Sequence, residues 1–325
     1  MNASSIRLLT WNDYHAPTVL ARFAAETGIA VDEVYVESND EFIARLTAGE
    51  LFDVAMPSDW AAAALANAGL LQELDMERLS NWRNVTQPEF QHPPYDVGVG
   101  DHKYTSVYMF GTEGFAISLD KMDKTRRSWE MLYDPASLGQ ITMIDGSREV
   151  LAPPLFLLGA GPNSTDPEAI ESAAQMAREQ RRLVLAYDSQ NPRQHIVDGV
   201  ALVHAWDGDF AAALSAGAVN IRWVLPKEGF RIWADAPCIP ANAPDAEAAH
   251  RFLDFLLQPD VAAANADFAG YQPVVPTADR LMKSLVQRSM RPTDEQLEEG
   301  TFLRDLGLAQ QLYDDAYARV RGASR

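Results

Sequence analysis

Strands and helices alternate over the first 70 residues, and this order constrains the fold more than any other feature of the sequence. Hydrophobic runs predict strands at residues 6–10, 29–36 and 52–56. A helix follows each strand. The first is predicted from Pro17 to Thr27 with Gly28 just past its end, and the other two are predicted to begin near Ser38 and Ser58. Because strands that alternate with helices over short connections form parallel crossovers, the pattern predicts a doubly wound α/β sheet.

A second α/β set follows in the remainder of the chain. Strands are predicted at residues 140–144, 183–186, 201–206, 221–225 and 230–234. The spacing of Thr165 and Glu168 is typical of a capping box, so a helix is predicted from Thr165 to about Arg182. Further helices are predicted at residues 246–257 and 308–320. The sequence therefore predicts two α/β lobes, joined without a long flexible linker.

The charge of the chain excludes two classes of partner. Among its 325 residues, 46 Asp and Glu outnumber 27 Lys and Arg, which gives a formal net charge of −19. Duplex nucleic acid and anionic lipid surfaces both require a basic face. No apolar run approaches the roughly 20 residues of a membrane-spanning helix. A negative field favours small cations as ligands, although a merely solvated acidic surface has the same composition.

Catalytic and metal-binding patterns are absent from the sequence. There is no Gly-x-Ser-x-Gly elbow or Walker loop, and the six His residues lack the spacing of metal ligands. The single cysteine, Cys238, lies in an apolar run and cannot form an intrachain disulfide. We therefore predict no cofactor, no metal and no enzyme activity. An enzyme that uses Cys238 as a nucleophile remains the alternative from another functional class.

Aromatic and acidic residues recur just after the predicted strands. The five clusters are Trp11-Asn12-Asp13-Tyr14, Ser58-Asp59-Trp60, Asp145 with Glu149, Trp206-Asp207-Gly208-Asp209, and Trp233 with Asp235. Ligands of open parallel sheets bind beyond the carboxyl ends of the strands. Carboxylates accept hydrogen bonds from ammonium groups, and aromatic faces attract cations. Taken singly, each Trp is better explained by packing and each Asp by a cap or turn, but together they predict a site for an organic cation.

Several longer segments resemble one family. These are the Trp-x-x-Tyr at Trp11, Phe52-Asp53-Val54-x-x-Pro57-Ser58, Ser147-Arg148-Glu149-Val150, Pro226-Lys227-Glu228-Gly229, Asp235-x-x-x-Ile239-Pro240-Ala241-Asn242-Ala243 and Phe255-Leu256-Leu257-x-Pro259-Asp260-Val261-Ala262. Jointly they resemble the periplasmic spermidine/putrescine-binding proteins, the solute receptors of polyamine ABC importers. The resemblance covers nearly the whole chain.

The resemblance implies a two-lobed periplasmic-binding-protein fold of type II, in which each lobe is a mostly parallel sheet flanked by helices. The lobes are expected to be residues 1–112 plus 234–281 and residues 113–233 plus 282–325, and to close on the ligand. The implied partners are a polyamine and the ABC permease of the inner membrane, and a monomer is expected. Residues 1–7 lack the layout of a secretion signal, so the expected periplasmic location depends on the resemblance.

The resemblance also implies a set of ligand-binding residues. Trp60 stands where a tyrosine is usual, and Asn12 replaces a hydroxyl residue. Trp206 would stack on the ligand, and Asp209, Glu149 and Asp235 would accept from its amines. The full expected set is Trp11, Asn12, Asp13, Tyr14, Ser58, Trp60, Glu149, Trp206, Asp209, Trp233, Asp235 and Tyr271.

Two departures from the spermidine type bear on the ligand. Gly146 stands at a position where that type has an Asp, and Leu303 stands where it has a Gln. Both losses weaken recognition of a third, central amine, so we expect putrescine. Spermidine, agmatine, cadaverine and an amino-acid-like cation stay open as alternatives, and Asp145 or Asp207 could serve a middle amine.

Overall fold

The computed structural model describes residues 4–98 and 102–322, which divide into two units. The first unit takes the chain up to Phe110 together with Trp233–Asp294. The second unit takes Gly111–Ile232 and the chain from Glu295 onward. Each unit is thus built from separate stretches of sequence.

The strands of the described residues are short, except for three. In chain order they are β1 (Ser4–Trp11), β2 (Ile29–Val36), β3 (Val54–Ala55), β4 (Met109–Ser118), β5 (Ile141–Met143), β6 (Val184–Tyr187), β7 (Leu202–Trp206), β8 (Ile221–Val224), β9 (Phe230–Ala234), β10 (Gln272–Pro273) and β11 (Gly300–Phe302).

Helices connect most of these strands. They are α1 (Pro17–Thr27), α2 (Asn39–Thr47), α3 (Asp59–Asn67), α4 (Pro88–Gln91), α5 (Ser147–Leu157), α6 (Pro167–Gln180), α7 (Pro192–Val197), α8 (Asp207–Ser215), α9 (Ala246–Leu256), α10 (Pro259–Ala269), α11 (Leu285–Met290), α12 (Asp294–Glu299) and α13 (Gln310–Arg321). In the described part of the chain, none of them is long and apolar enough to cross a membrane.

The first unit contains a parallel sheet with the strand order β2-β1-β3. Ile6 and Leu8 of β1 are fully buried. Between β1 and β2, α1 begins at Pro17, whose fixed φ suits a first helical position, and buries Phe23. It ends at Gly28, which has a φ of 74°. This left-handed conformation carries little strain for glycine and allows the tight turn into β2.

The second unit has a mixed sheet. β5 pairs in parallel with β6 and β7, and β9 pairs in parallel with β11. β4 runs antiparallel to both β7 and β8. Apolar side chains from this sheet form a core with the segment around Trp129, which is 1% exposed.

Parallel pairs with covering helices were predicted, whereas β4 was not identified. All ten of its residues are buried, so it lacks the alternation that marks a strand with one wet face.

Helices α6 and α5 also differ from the sequence prediction. The helix predicted to begin with a capping box at Thr165 is instead capped by Asp166, whose side chain accepts from the Glu168 backbone N–H at 3.0 Å. Pro167 takes the first helical position, which moves the cap one residue along the chain. The prediction also missed α5, because it contains Pro153 and Pro154, residues that usually end a helix.

Candidate functional site

In the first unit, Asp235 is held at the end of β9 by backbone hydrogen bonds. Its N–H donates to the carbonyl of Met109 at 2.9 Å, and its carbonyl accepts from the N–H of Tyr108 at 3.2 Å. These bonds fix the backbone position from which the Asp235 carboxyl projects. The side chain is almost completely buried, with 3% of the residue exposed.

Two hydroxyl groups donate to the Asp235 carboxyl. Ser58 Oγ donates to Oδ1 at 2.8 Å, and the Tyr14 hydroxyl donates to Oδ2. Ser58 occupies the N-cap position of α3, but its side chain makes no capping hydrogen bond. The structure therefore brings together three predicted residues, and it directs the Ser58 hydroxyl to Asp235 instead of to the helix.

The electrostatics of Asp235 are those of a buried acid without a counter-ion. Burial raises its pKa to about 7, and the nearby negative charge of Asp59 adds to the rise, while the hydrogen bonds from Tyr14 and Ser58 oppose it. Within residues 4–98 and 102–322, no ion pair joins Asp235 to a basic side chain. An incoming cation would supply the missing positive charge.

Aromatic rings lie close to this carboxyl. The rings of Trp233 and Tyr271 meet at 90° with 4.8 Å between their centroids. Tyr14 contacts Tyr271 at 6.3 Å and Tyr108 at 5.4 Å. Trp233 and Tyr271 are half-buried, so part of each ring remains accessible to solvent. Such faces attract a cation and cover its methylene groups.

The remaining predicted residues of the first unit, Trp11, Asn12, Asp13 and Trp60, are exposed or half-buried. Asn12 and Asp13 are exposed, and the Asn12 amide donates to Asp13 at 3.1 Å, not to Asp235. Asp13 has a φ of 52°, in the left-handed region. Trp11 is half-buried at the end of β1 with its ring 5.0 Å from Phe42, and Trp60 is half-buried in the first turn of α3.

In the second unit, Glu149 belongs to a network of buried charges. Arg231 Nη1 lies 2.8 Å from a Glu149 oxygen and 2.7 Å from a Glu113 oxygen. Glu113 also lies 3.0 Å from His204 Nε2. Burial alone would raise the pKa of Glu149, but the charge and hydrogen bond of Arg231 outweigh burial and hold that pKa below its usual value. Glu149 is thus an ionised acceptor with a partner already in place.

Sequence reasoning missed Arg231, Glu113 and His204. Each lies in an otherwise apolar strand: Arg231 in β9, Glu113 in β4 and His204 in β7. A charged residue inside a buried strand requires a partner, and this signal could have identified them as a group. Sequence distance hides the pairing itself, since Arg231 and Glu149 are 82 residues apart.

Trp206 and Asp209 lie where β7 passes into α8. Trp206 is the last residue of β7 and is half-buried. Asp209 lies in the first turn of α8, and burial raises its pKa to about 6. Asp207 beside it is 2% exposed and accepts from Thr112 Oγ1 at 3.3 Å. Burial raises the pKa of Asp207 to about 7. The acidic side chains of Asp207 and Asp209 therefore both lie in the first turn of α8, directly after β7.

Asp145 is engaged elsewhere in the second unit. Its side chain accepts from the Tyr317 hydroxyl, and Arg321 of the same helix, α13, lies 3.9 Å away. Its backbone N–H donates to Ser189 Oγ at 2.8 Å. These contacts tie the loop after β5 to α13 and give Asp145 a structural role.

The site offers no arrangement for a metal ion or a reactive thiol. Among the described residues, no three His, Cys, Asp or Glu side chains are grouped to hold a metal. Cys238 is fully buried, and burial raises the pKa of its thiol. A nucleophilic cysteine needs an accessible thiolate, which this environment opposes.

Comparison with known proteins gives one consistent group. The sequence profile of a family described as bacterial extracellular solute-binding protein matches residues 18–289. The chain is 32% identical to the spermidine/putrescine-binding periplasmic protein of Salmonella typhimurium, over 96% of this chain and 90% of that protein. It is 28% identical to a putrescine-binding periplasmic protein of Escherichia coli, over 88% of this chain and 82% of that protein.

Solved structures agree with these relatives. A spermidine/putrescine ABC transporter substrate-binding protein of Streptococcus pneumoniae is 25% identical and superposes with a TM-score of 0.86. The match covers 98% of this chain and 99% of that one. The fold is therefore that of the periplasmic binding proteins, as the sequence predicted.

Proposed function

Since the chain belongs to the bacterial extracellular solute-binding proteins, we propose that it is a periplasmic receptor that binds a polyamine for an ABC importer. The observation that carries this proposal is the buried Asp235 carboxyl, with its two hydroxyl donors and accessible aromatic faces. A buried acid without a counter-ion is matched by an ammonium group, which donates up to three hydrogen bonds and accepts none.

Acceptors for an ammonium group are proposed within each unit taken by itself. Asp235 serves in the first unit, and Glu149 with Asp209 serves in the second. The aromatic side chains Trp206, Trp233 and Tyr271 cover the carbon chain of the ligand. Burying four methylene groups contributes roughly 3 kcal/mol before ordering costs. The remaining predicted residues, Trp11, Asn12, Asp13, Tyr14, Ser58 and Trp60, complete the first-unit contacts.

Putrescine is the proposed ligand. Gly146 offers no carboxyl to a central amine, and Leu303 is a fully buried apolar residue. Asp145 is one of the two acids that could serve a central amine, but its carboxylate already accepts a hydrogen bond from the Tyr317 hydroxyl. Support for a diamine also comes from a relative whose name states that it binds putrescine.

The protein binds its ligand without catalysing a reaction on it, and its partner is the permease of the importer. The buried Cys238 supports this reading over an enzyme that uses a thiol. We expect the receptor to be monomeric. The two lobes of the proposed receptor are residues 1–112 plus 234–281 and residues 113–233 plus 282–325.

Titration calorimetry at low salt tests the proposed function, with putrescine, spermidine, agmatine and the uncharged butanediol. We expect putrescine to bind at least about 100-fold more tightly than butanediol, since the diol leaves buried carboxylates without a counter-charge. Putrescine should also bind more tightly than spermidine. Absence of binding by every amine would overturn the proposal, and equal binding of spermidine would overturn the choice of putrescine.

A further inference from the structure

The ion pairs of Arg231 with Glu149 and Glu113 affect which ligand charge the site accepts. We propose that Arg231 is a positioning residue, which orients the Glu149 carboxylate and limits the charge of its cluster so that the cluster receives one ammonium group and no more. This inference rests on the proposed function, because it concerns the selectivity of the same site. It assigns a role to residues that make no contact with the ligand.

The geometry separates an accessible residue from the residues behind it. Arg231 and Glu113 have side chains only 6% and 1% exposed, whereas the Glu149 side chain is 21% exposed. A ligand can therefore touch Glu149 but neither of the other two. Any effect of Arg231 on binding must pass through Glu149.

Glu113, Glu149 and Arg231, the three charged groups joined by the Arg231 contacts, sum to one negative charge. Glu113 and Glu149 contribute two carboxylates, and the Arg231 guanidinium lies between them at 2.7 and 2.8 Å. One ammonium group at Glu149 brings the sum of these charges to zero. Without Arg231 the same place would hold two unbalanced carboxylates, and a more highly charged ligand would be favoured.

Gly146 makes the position of Glu149 possible. A Cβ atom built on Gly146 would overlap with the Glu149 carboxylate, far inside van der Waals contact. The φ of Gly146 is −170°, so the backbone itself would accept any residue. The need for glycine comes from the close approach of Glu149, which folds back over this residue while it contacts Arg231. A side chain at this position would therefore displace the Glu149 carboxylate from its present place.

Two charged groups act directly on Glu149, namely Arg231 from β9 and Arg148 from its own helix, α5. Glu113 of β4 lies behind them in contact with Arg231, and His204 of β7 lies in contact with Glu113. Arg231 is the partner in direct contact. Its loss would leave a buried carboxylate that takes up a proton more readily.

The test compares Arg231→Met with Arg222→Met, a matched control that removes the same charge from β8, the strand that precedes β9 in the chain. Putrescine and spermidine are titrated by calorimetry at pH 6 and pH 8, in buffers with different ionisation enthalpies, to count the protons released. In Arg231→Met we expect putrescine to bind about tenfold more weakly at pH 6, with additional proton release. The preference for putrescine over spermidine should also shrink. The control should behave as the wild type.

Two further variants keep the proposal testable if Arg231→Met does not fold. Arg231→Lys retains the charge and should restore most of the selectivity. Gly146→Ala retains every charge but displaces Glu149, so it should weaken putrescine binding. Wild-type affinities and proton release in both Arg231→Met and Gly146→Ala would overturn this inference alone. Failure of the wild type to bind any amine would instead overturn the proposed function.

Discussion

At the scale of single residues, the proposed contact between Asp235 and an ammonium group predicts that solute binding is coupled to protons. Its pKa of about 7, raised mainly by burial, means that a large part of the ligand-free protein carries a neutral carboxyl at neutral pH. An ammonium group binds the ionised form. Binding must therefore release a proton wherever the carboxyl is still protonated.

This coupling predicts the pH dependence of binding. Below about pH 7 the affinity for putrescine should fall with decreasing pH, approaching about tenfold per pH unit from this group, because protons compete with the ligand for Asp235. Above the pKa the affinity should level off. Calorimetry between pH 5 and pH 8.5 measures the slope. A flat profile would show that Asp235 is ionised throughout or that it does not contact the ligand.

The raised pKa of Asp235 also makes the stability of the ligand-free protein depend on pH. A carboxyl whose pKa is raised on folding binds more protons in the folded state, so its contribution favours the folded state at acid pH and is lost as pH rises from about 4 to 7. Asp235→Asn should remove this contribution and weaken putrescine binding by at least about 2 kcal/mol. Some pH dependence of binding should persist in this variant, because the pKa of Asp209 is also raised, to about 6.

At the scale of elements, the sequence predicted what local signals specify. The bounds of α1 were predicted correctly, because Pro17 and Gly28 mark its two ends. Strands β2 and β9 were also predicted within their observed bounds. The prediction failed where tertiary packing overrides local preference: α5 keeps two prolines among buried residues, and β4 is buried on both faces.

In the candidate site, too, some features could be predicted from local sequence and others could not. Asp235, Ser58 and Tyr14 were each identified from residue type and position after a strand, and the structure joins them by hydrogen bonds. The pairing of Glu149 with Arg231 could not be predicted, since it depends on how β9 lies against α5. Local pattern thus locates single candidate side chains, whereas their ion pairs follow from the fold.

The cap of α6 gives a prediction at this scale. Asp166→Ala removes the side chain that accepts from the Glu168 backbone N–H, and should lower the free energy of unfolding by about 1 kcal/mol. Thr165→Ala is the matched control and should change it by less than about 0.5 kcal/mol. Urea unfolding of both variants measures the difference. A larger loss in Thr165→Ala would mean that the helix is capped one residue earlier.

At the scale of the whole molecule, the net charge of −19 acts on the ligand before contact. A surface of one sign raises the local concentration of oppositely charged ions and can increase association rates by about 10- to 1,000-fold. Salt screens this field over a length of about 8 Å at physiological ionic strength. The acidic composition then affects how fast a polyamine arrives, separately from the contacts that hold it.

The association rate of putrescine should consequently fall by about tenfold or more between low salt and 0.5 M NaCl. The dissociation rate should change much less, because the bound ammonium groups lie among buried carboxylates that salt screens weakly. Stopped-flow measurement of tryptophan fluorescence gives both rates, and the more highly charged spermidine should show a steeper fall. If salt changed only the dissociation rate, the affinity would come from local contacts alone, and the acidic surface would have no part in capture of the solute.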